Sequence, residues 1–221
     1  MTKLLIKQPG RVGDILICLP IAKWYYLRNY EVEWLCPEQY HSVFRNIDYC
    51  KPVKKETGKY DKVIDLSFGL VHGTEIDTWW EAKKKSLQSF VVFKYQIADV
   101  PLMRRWELNW HHDIPREFSL YSKIRTKYGP EYTVVQEKTH NYATQINASN
   151  KVLFEPFEDF NIFDWYQVLM HAKEIHCIDS CLCNFVEVIS ELTSKPKFYY
   201  SMRCGAKTPY NTLLVNNWTK K

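Results

Sequence analysis

Short apolar runs alternate with longer helix-like segments along the first half of the chain. The runs at residues 3–8, 30–37 and 60–68 have the length and the apolar or alternating character of strands. The segments at residues 13–29 and 38–47, which separate them, are typical of helices. Because strands that alternate with helices over short links pair in parallel, this half predicts a parallel sheet covered by helices.

The same alternation starts again after a predicted helix at residues 113–129. The second half is predicted to contain strands at 131–137, 151–156, 174–180 and 195–201, a short last strand at 211–217, and helices at 162–173 and 182–193. Residues 77–110 are predicted to be irregularly helical, with a break at Pro101. We therefore predict an α/β protein with two Rossmann-like units, residues 1–112 and residues 113–221.

Composition narrows the class of protein only moderately. Hydrophobic residues make up 46% of the 221 residues, which is enough for a core, and a net charge of +5 favours anionic partners but also fits a mildly basic solvated surface. Seven cysteines without a CxxC pair or a zinc-like spacing predict reduced thiols and a cytoplasmic protein. No run of about 18 apolar residues occurs, so no transmembrane segment is expected.

The link after the first strand carries the first candidate chemistry. It contains Gly10 and Gly13, which allow close backbone approach, and then Asp14 in the first turn of the predicted helix. This pattern is neither the GxGxxG dinucleotide fingerprint nor a Walker A loop. Asp14 has two interpretations that these residues leave equally open: a charge that stabilises the helix, or a catalytic group facing the crevice above the strand ends.

The segment GRVGDILICLPIAKWYYLRN resembles the N-terminal signature of the heptosyltransferases, glycosyltransferase family nine. The resemblance implies a shortened GT-B protein, in which two Rossmann-like units face each other and the donor lies mainly against the C-terminal unit. It implies a hexosyl- or heptosyl-type transferase that moves a sugar from a nucleotide-diphosphate sugar to a hydroxyl of a glycan or other acceptor. Asp14 would be the general base, with no cofactor and no metal. The acceptor side would include Gly10, Arg11, Gly13, Asp65 and His72.

A second segment, EIHCIDSCLCNFVEVI, resembles the stretch of the same family in which a helix start holds the donor diphosphate. The alternative for Asp179 or Ser180 is a plain N-cap of that helix. This chain has Cys181 and Asn184 where the family usually has glycine and histidine. The resemblance implies these donor-binding residues: Gln136, Lys138, Thr139, Glu155, Asp179, Ser180, Asn184 and Arg203.

Three other functions stay open on the sequence. The acceptor could be a hydroxymethylated DNA base, since the positive charge allows DNA as a partner. The chain could be a nucleotide-binding or interaction module without catalysis, or it could hydrolyse a nucleotide-sugar. The sequence does not assign the donor nucleotide, the sugar or the acceptor.

Overall fold

The computed structural model describes residues 1–68, 75, 76, 78, 89–139, 142–155, 157–201 and 214–221. Contacts between Cα atoms divide the chain into two compact units, the first ending at His111 and the second starting at His112. Unit 1 and unit 2 below refer to these two parts, and each is described by itself.

Unit 1 is built on a parallel sheet with the strand order β3-β2-β1-β4. Its described elements are β1 (Thr2–Lys7), α1 (Val12–Tyr26), β2 (Tyr30–Leu35), a 3₁₀ helix (Glu38–Asn46), β3 (Lys51–Val53), β4 (Lys62–Asp65), α2 (Phe90–Ile97) and a 3₁₀ helix (Leu102–Trp106). Leu4, Leu5 and Ile6 of the inner strand β1 are fully buried. Side chains on both faces of β1 are therefore covered, as expected for a parallel sheet between helices.

Helix α1 is packed on all sides, because the consecutive residues from Ile15 to Ala22 are all buried. Two tyrosine hydroxyls fasten α2 to it. Tyr95 donates to the Ile17 carbonyl at 2.9 Å, and Tyr25 donates to the Ala98 carbonyl at 2.7 Å. Each bond joins a side chain of one helix to a backbone carbonyl in, or directly after, the other helix. The two bonds therefore fix the position of α2 along the length of α1.

Unit 2 is built on a second parallel sheet, with the order β6-β5-β7-β8-β9. Its described elements are α3 (Ile114–Tyr128), β5 (Thr133–Gln136), β6 (Lys151–Leu153), a 3₁₀ helix (Phe163–Trp165), α4 (Tyr166–His171), β7 (Glu174–Ile178), α5 (Cys181–Val188), a 3₁₀ helix (Ser190–Leu192), β8 (Lys197–Tyr200) and β9 (Trp218–Lys220). Two parallel-sheet α/β units confirm the predicted fold class. Among the described residues, no helix combines the length and the apolar character needed to cross a membrane.

The structure differs from the sequence-based elements in three places. Strand β3 was not predicted. The last strand was predicted at 211–217, but its described residues 214–217 are not a strand and β9 lies just beyond them, while 211–213 fall outside the described residues. The predicted helices at 162–173 and 182–193 are each divided into a 3₁₀ helix and an α-helix.

Candidate functional site

The side chain of Gln8, just after β1, organises the link to α1. It is fully buried, and its Oε1 accepts the Gly10 N–H at 2.8 Å. Its Nε2 donates to the Leu66 carbonyl at 3.2 Å, and its own carbonyl accepts from Trp34 Nε1 at 3.2 Å. The glycine link therefore lies folded against the carboxyl edge of the sheet of unit 1.

Asp14 lies in the first turn of α1, at this same edge, with its side chain half-buried. Arg11 is the N-cap residue, with an extended backbone and an exposed side chain, and its carbonyl accepts the Ile15 N–H at 3.0 Å. Because a helix start carries partial positive charge, a carboxylate there is stabilised in its ionised form. The structure thus brings Gly10, Arg11, Gly13 and Asp14 together in one turn.

Asp65 is the last residue of β4 and pairs in register with Lys7, the last residue of β1. It therefore lies at the same carboxyl edge as the Gly10–Asp14 turn. Its Oδ1 accepts both the N–H of Ser67 at 2.9 Å and the Ser67 hydroxyl at 2.6 Å, which shapes the turn after β4. His72, the other predicted acceptor-side residue, lies outside the described residues.

A lysine that the sequence analysis did not single out lies beneath this edge. Lys94 of α2 is fully buried, and its Nζ donates to the Leu66 carbonyl at 3.0 Å. The Nζ also lies 4.2 Å from the ring centre of Phe90 and 4.7 Å from that of Phe68. The only sign of Lys94 in the sequence was a single cation within the apolar run FVVFKYQI. In an amphipathic helix such a lysine would face solvent, so the run did not indicate that Lys94 is buried.

Burial lowers the pKa of Lys94, because removal from water disfavours the ammonium. The carboxylates of Asp14 and Asp65 act in the opposite direction, as a Cys18 thiolate would. Burial also raises the pKa of the Cys18 thiol to about 11, so this thiol is neutral at ordinary pH. Asp14 and Asp65 are therefore the groups whose charge supports the buried ammonium.

In unit 2, Gln136 and Ser180 together close the start of α5. Ser180 is the N-cap residue, and its Oγ accepts the Cys183 N–H at 3.5 Å and donates to Gln136 Oε1. The same Gln136 Oε1 accepts the Leu182 N–H at 3.3 Å. These contacts agree with the N-cap interpretation of Ser180, and the diphosphate-binding roles of both residues stay predictions.

Asp179 and Asn184, also predicted on the donor side, flank this helix start and are both buried. Burial, together with a hydrogen bond to Asp179, raises the pKa of Tyr199 well above its ordinary value. Asn184 lies one turn into α5, with its N–H donating to the Ser180 carbonyl at 3.2 Å. The strand β7, its Asp-Ser end and the helix after it thus have the arrangement expected from the sequence.

The remaining donor-side residues follow the neighbouring strands of the same sheet. Thr139 closes a turn with Tyr142, donating its N–H to the Tyr142 carbonyl at 2.7 Å and accepting the Tyr142 N–H on Oγ1 at 3.1 Å. Lys138, at the start of this turn, and Glu155, just beyond β6, are exposed. Since β5, β6 and β7 are parallel, these residues lie at the same carboxyl edge as the start of α5. Arg203 lies outside the described residues.

The architecture is shared with solved glycosyltransferases, although no family model and no curated protein matches the chain. A crystal structure of the glycosyl transferase family 9 from Veillonella parvula DSM 2008 matches with a TM-score of 0.59 and 10% identity, over 100% of this chain and 86% of that one. The iron-containing dodecameric glycosyltransferase TibC from enterotoxigenic E. coli H10407 matches with a TM-score of 0.55 and 10% identity, over 90% of this chain and 58% of that one.

TibC has also been solved as a heptosyltransferase in complex with ADP-D-beta-D-heptose, and that structure matches with a TM-score of 0.53 and 12% identity. This chain covers 58% of that chain as well. At these identities the likeness shows a shared fold. The two parallel-sheet α/β units that the resemblance implies are therefore confirmed as a fold shared with glycosyltransferases, while the shortened form stays a prediction and the activity belongs to the proposal that follows.

Proposed function

We propose that this chain is a glycosyltransferase that moves a sugar from a nucleotide-diphosphate sugar to a hydroxyl acceptor, with Asp14 as the general base. The observation that carries the proposal is the place of Asp14. It lies half-buried in the first turn after the first strand, at the carboxyl edge of a sheet whose fold is shared with glycosyltransferases. Open α/β sheets bind ligands at this edge.

Unit 1 supplies the base in this mechanism. As the acceptor oxygen forms its bond to the anomeric carbon, the bond from that carbon to the diphosphate oxygen breaks. The acceptor proton goes to the Asp14 carboxylate, and the nucleoside diphosphate leaves with the bonding electrons. A carboxylate suits this task because it remains ionised at neutral pH and accepts the proton only as the acceptor oxygen becomes acidic.

Unit 2 holds the donor in this proposal. The start of α5 provides partial positive charge, and Lys138, exposed just beyond β5 at the same edge of the sheet, provides a cation for the leaving diphosphate. Glu155 is placed beyond a neighbouring strand end, where it is proposed to accept from the ribose hydroxyls. Gln136 and Ser180 hold the helix start in shape, so we assign them mainly to its positioning.

The reaction is proposed to need no metal, since fixed positive groups meet the charge of the leaving diphosphate. The acceptor is proposed to be a glycan or another hydroxyl compound rather than a DNA base, because the described residues offer no observation that favours DNA. The ligand in the TibC complex makes ADP and ADP-heptose the first donor compounds to examine.

A thermal-shift screen of the purified protein against ADP, UDP, GDP, CMP and their common sugars, with EDTA present, tests the donor assignment. A ligand that binds the folded state raises the melting temperature according to its excess over the dissociation constant. We expect one nucleoside diphosphate and its sugars to give a clear rise. No rise with any of them at millimolar concentration would contradict the proposal.

A matched pair of lysine variants locates the donor in unit 2. Lys138→Ala removes an exposed cation at the carboxyl edge of the sheet, whereas Lys127→Ala removes an exposed cation from α3, which leads into the amino end of β5. We expect the ligand-induced rise to shrink in Lys138→Ala and to persist in Lys127→Ala. Equal ligand-induced rises in the melting temperature of both variants would contradict the assignment of Lys138 to the donor site.

A further inference from the structure

The burial of Lys94 is unfavourable for the stability of the fold. An ammonium that is fully withdrawn from water has a desolvation penalty that charge and hydrogen bonds must compensate, and replacing a whole buried ion pair by apolar residues of similar volume is often neutral or stabilising. The Leu66 carbonyl does not need Lys94, because Gln8 Nε2 donates to it as well. Stability alone therefore does not account for a lysine here.

The contacts around Lys94 place it next to Gln8, which holds the link that leads into α1. The neighbouring residue Tyr95 is bonded to the Ile17 carbonyl, which fixes this part of α2 against α1. Gln8 Nε2 lies 3.2 Å from the Leu66 carbonyl that accepts from Lys94, and 3.9 Å from Cys18 Sγ. Cys18 follows Asp14 by four residues, so the two share one side of α1.

The charged and titratable groups that act on the ammonium are Cys18 and Asp14 from α1 and Asp65 from β4. The thiol of Cys18 is neutral at ordinary pH, and Arg105 adds a second positive charge that acts on it. The two carboxylates are thus the counter-charges of Lys94. One of them, Asp65, is engaged by Ser67.

We propose that Lys94 is the positioning residue of the Asp14 base: its buried ammonium, held beside the Gly10–Asp14 turn through Leu66 and Gln8, keeps the Asp14 carboxylate ionised. This inference rests on the proposed function. Lys94 is fully buried, so it acts through Asp14 rather than on the substrates. A fixed positive charge below the carboxylate stabilises its ionised form, as long as the charge is not screened by water.

The test compares Lys94→Met with Lys62→Met in the full chain. Lys62 is also a lysine of unit 1 that lies over an aromatic ring, 4.4 Å from the centre of Tyr25, but it stands at the other end of β4 from Asp65. For Lys94→Met that remains folded by circular dichroism we expect a kcat lower by about tenfold or more and a donor KM within about twofold. We also expect the acidic limb of the pH profile to move up by about one pH unit.

Lys62→Met should keep the kcat and the pH profile of the unchanged protein. Lys94→Arg retains a positive charge and should recover more of the kcat than Lys94→Met does, if both remain folded by circular dichroism. An unchanged pH profile in Lys94→Met, or equal losses in Lys94→Arg and Lys94→Met, would overturn the positioning role.

Carbon NMR titration of the aspartate carboxyls separates this inference from the proposed function. The Asp14 signal is assigned by its absence in Asp14→Asn, and its midpoint is compared between the unchanged protein and Lys94→Met. An upward move of the Asp14 midpoint in a protein that shows no transferase activity would reject the proposed enzymatic function. It would still support the electrostatic coupling between Lys94 and Asp14. An unmoved midpoint would overturn the inference whether or not the protein is active.

Discussion

At the scale of single residues, two glutamines form the hydrogen bonds that shape the carboxyl edges of the two sheets. Gln8 follows β1 and fixes the Gly10 link, while Gln136 ends β5 and fixes the start of α5 through Ser180. In both units the amide oxygen accepts hydrogen bonds from the backbone or from a helix cap, and the amide nitrogen donates to a cysteine sulfur. Each edge is therefore shaped by a neutral side chain before any ligand arrives.

Glu117 gives a prediction about pH. The side chain is fully buried in α3, bonded to His112 Nδ1 at 2.7 Å and to Gln167 Nε2 at 3.4 Å. Burial raises the pKa of Glu117, an effect that His112 partly opposes. The folded state therefore holds this proton more tightly than the unfolded state, and this group's contribution to stability falls as pH rises through the raised pKa.

Glu117→Gln lacks this titration. In urea unfolding between about pH 4 and about pH 7, the unchanged protein should lose stability relative to Glu117→Gln as the pH rises. A stability difference that stays constant with pH, or that changes in the opposite direction, would show that burial does not raise the pKa of the Glu117 carboxyl.

At the scale of elements, α3 shows how local signals define a helix. Asp113 caps its start by accepting the Arg116 N–H at 3.2 Å, and Pro115 occupies the first turn. Gly129 ends the helix with φ at 80° and ψ at −174°. This is a backbone conformation that residues with a Cβ rarely adopt, so the glycine is required for its conformation rather than for space.

Two glycines form a matched pair for this point. A Cβ built on Gly129 or on Gly58 meets no atom within 4 Å, and of these two only Gly129 has a positive φ. We expect Gly129→Ala to lower the free energy of unfolding by about 1 to 3 kcal/mol. Gly58→Ala should change it by no more than about 0.5 kcal/mol, as measured by urea unfolding. Equal effects of the two substitutions would contradict the backbone explanation.

The elements that were predicted well have strong local signals, and those that were missed do not. The α3 boundaries follow from Asp113, Pro115 and Gly129, each of which acts within one helical turn. Strand β3 is three residues long and contains Pro52, so its pairing with β2 and not its own sequence makes it a strand. β9 is similarly short and pairs only with β8 in the described sheet, which explains why it was placed too early.

The residues of the candidate site also divide into those with a local sequence signal and those without one. Asp14 was predicted because it follows a strand and a glycine link, and the Asp179–Ser180 pair was predicted because its segment resembles that of the heptosyltransferases. Lys94 was missed because its importance depends on which elements surround α2, and a single lysine in an apolar run does not reveal that. The bonds from Gln8 to Leu66 and from Gln136 to Ser180 and Leu182 could not be predicted from the sequence either, since each joins residues more than forty positions apart.

At the scale of the whole molecule, both units carry buried cysteines that can report on each unit separately. None of the described cysteines forms a disulfide, and they are Cys18, Cys36 and Cys50 in unit 1 and Cys177, Cys181 and Cys183 in unit 2. Burial raises the pKa of the Cys36 thiol to about 12, for example, so reaction in the folded protein should be slow and should require local opening.

If unit 2 binds the donor, the nucleotide should slow the alkylation of its cysteines, because binding to the folded state makes opening rarer. Mass spectrometry of each cysteine, with and without the nucleoside diphosphate that binds, measures this. We expect slower labelling of Cys177 and Cys183 in particular. Protection confined to Cys18, Cys36 and Cys50 would place the nucleotide in unit 1 instead.

The most direct test of the central claim is the acceptor-dependent turnover of the nucleotide-sugar that binds, measured in EDTA as the release of nucleoside diphosphate with a hydroxyl acceptor minus the release without it. The unchanged protein is compared with Asp14→Asn and with Asp48→Asn, an exposed aspartate of unit 1 that pairs with His111 at 2.8 Å. We expect Asp14→Asn to bind the donor normally and to lose turnover by about a hundredfold or more, while Asp48→Asn remains active. Full turnover by Asp14→Asn would contradict the account.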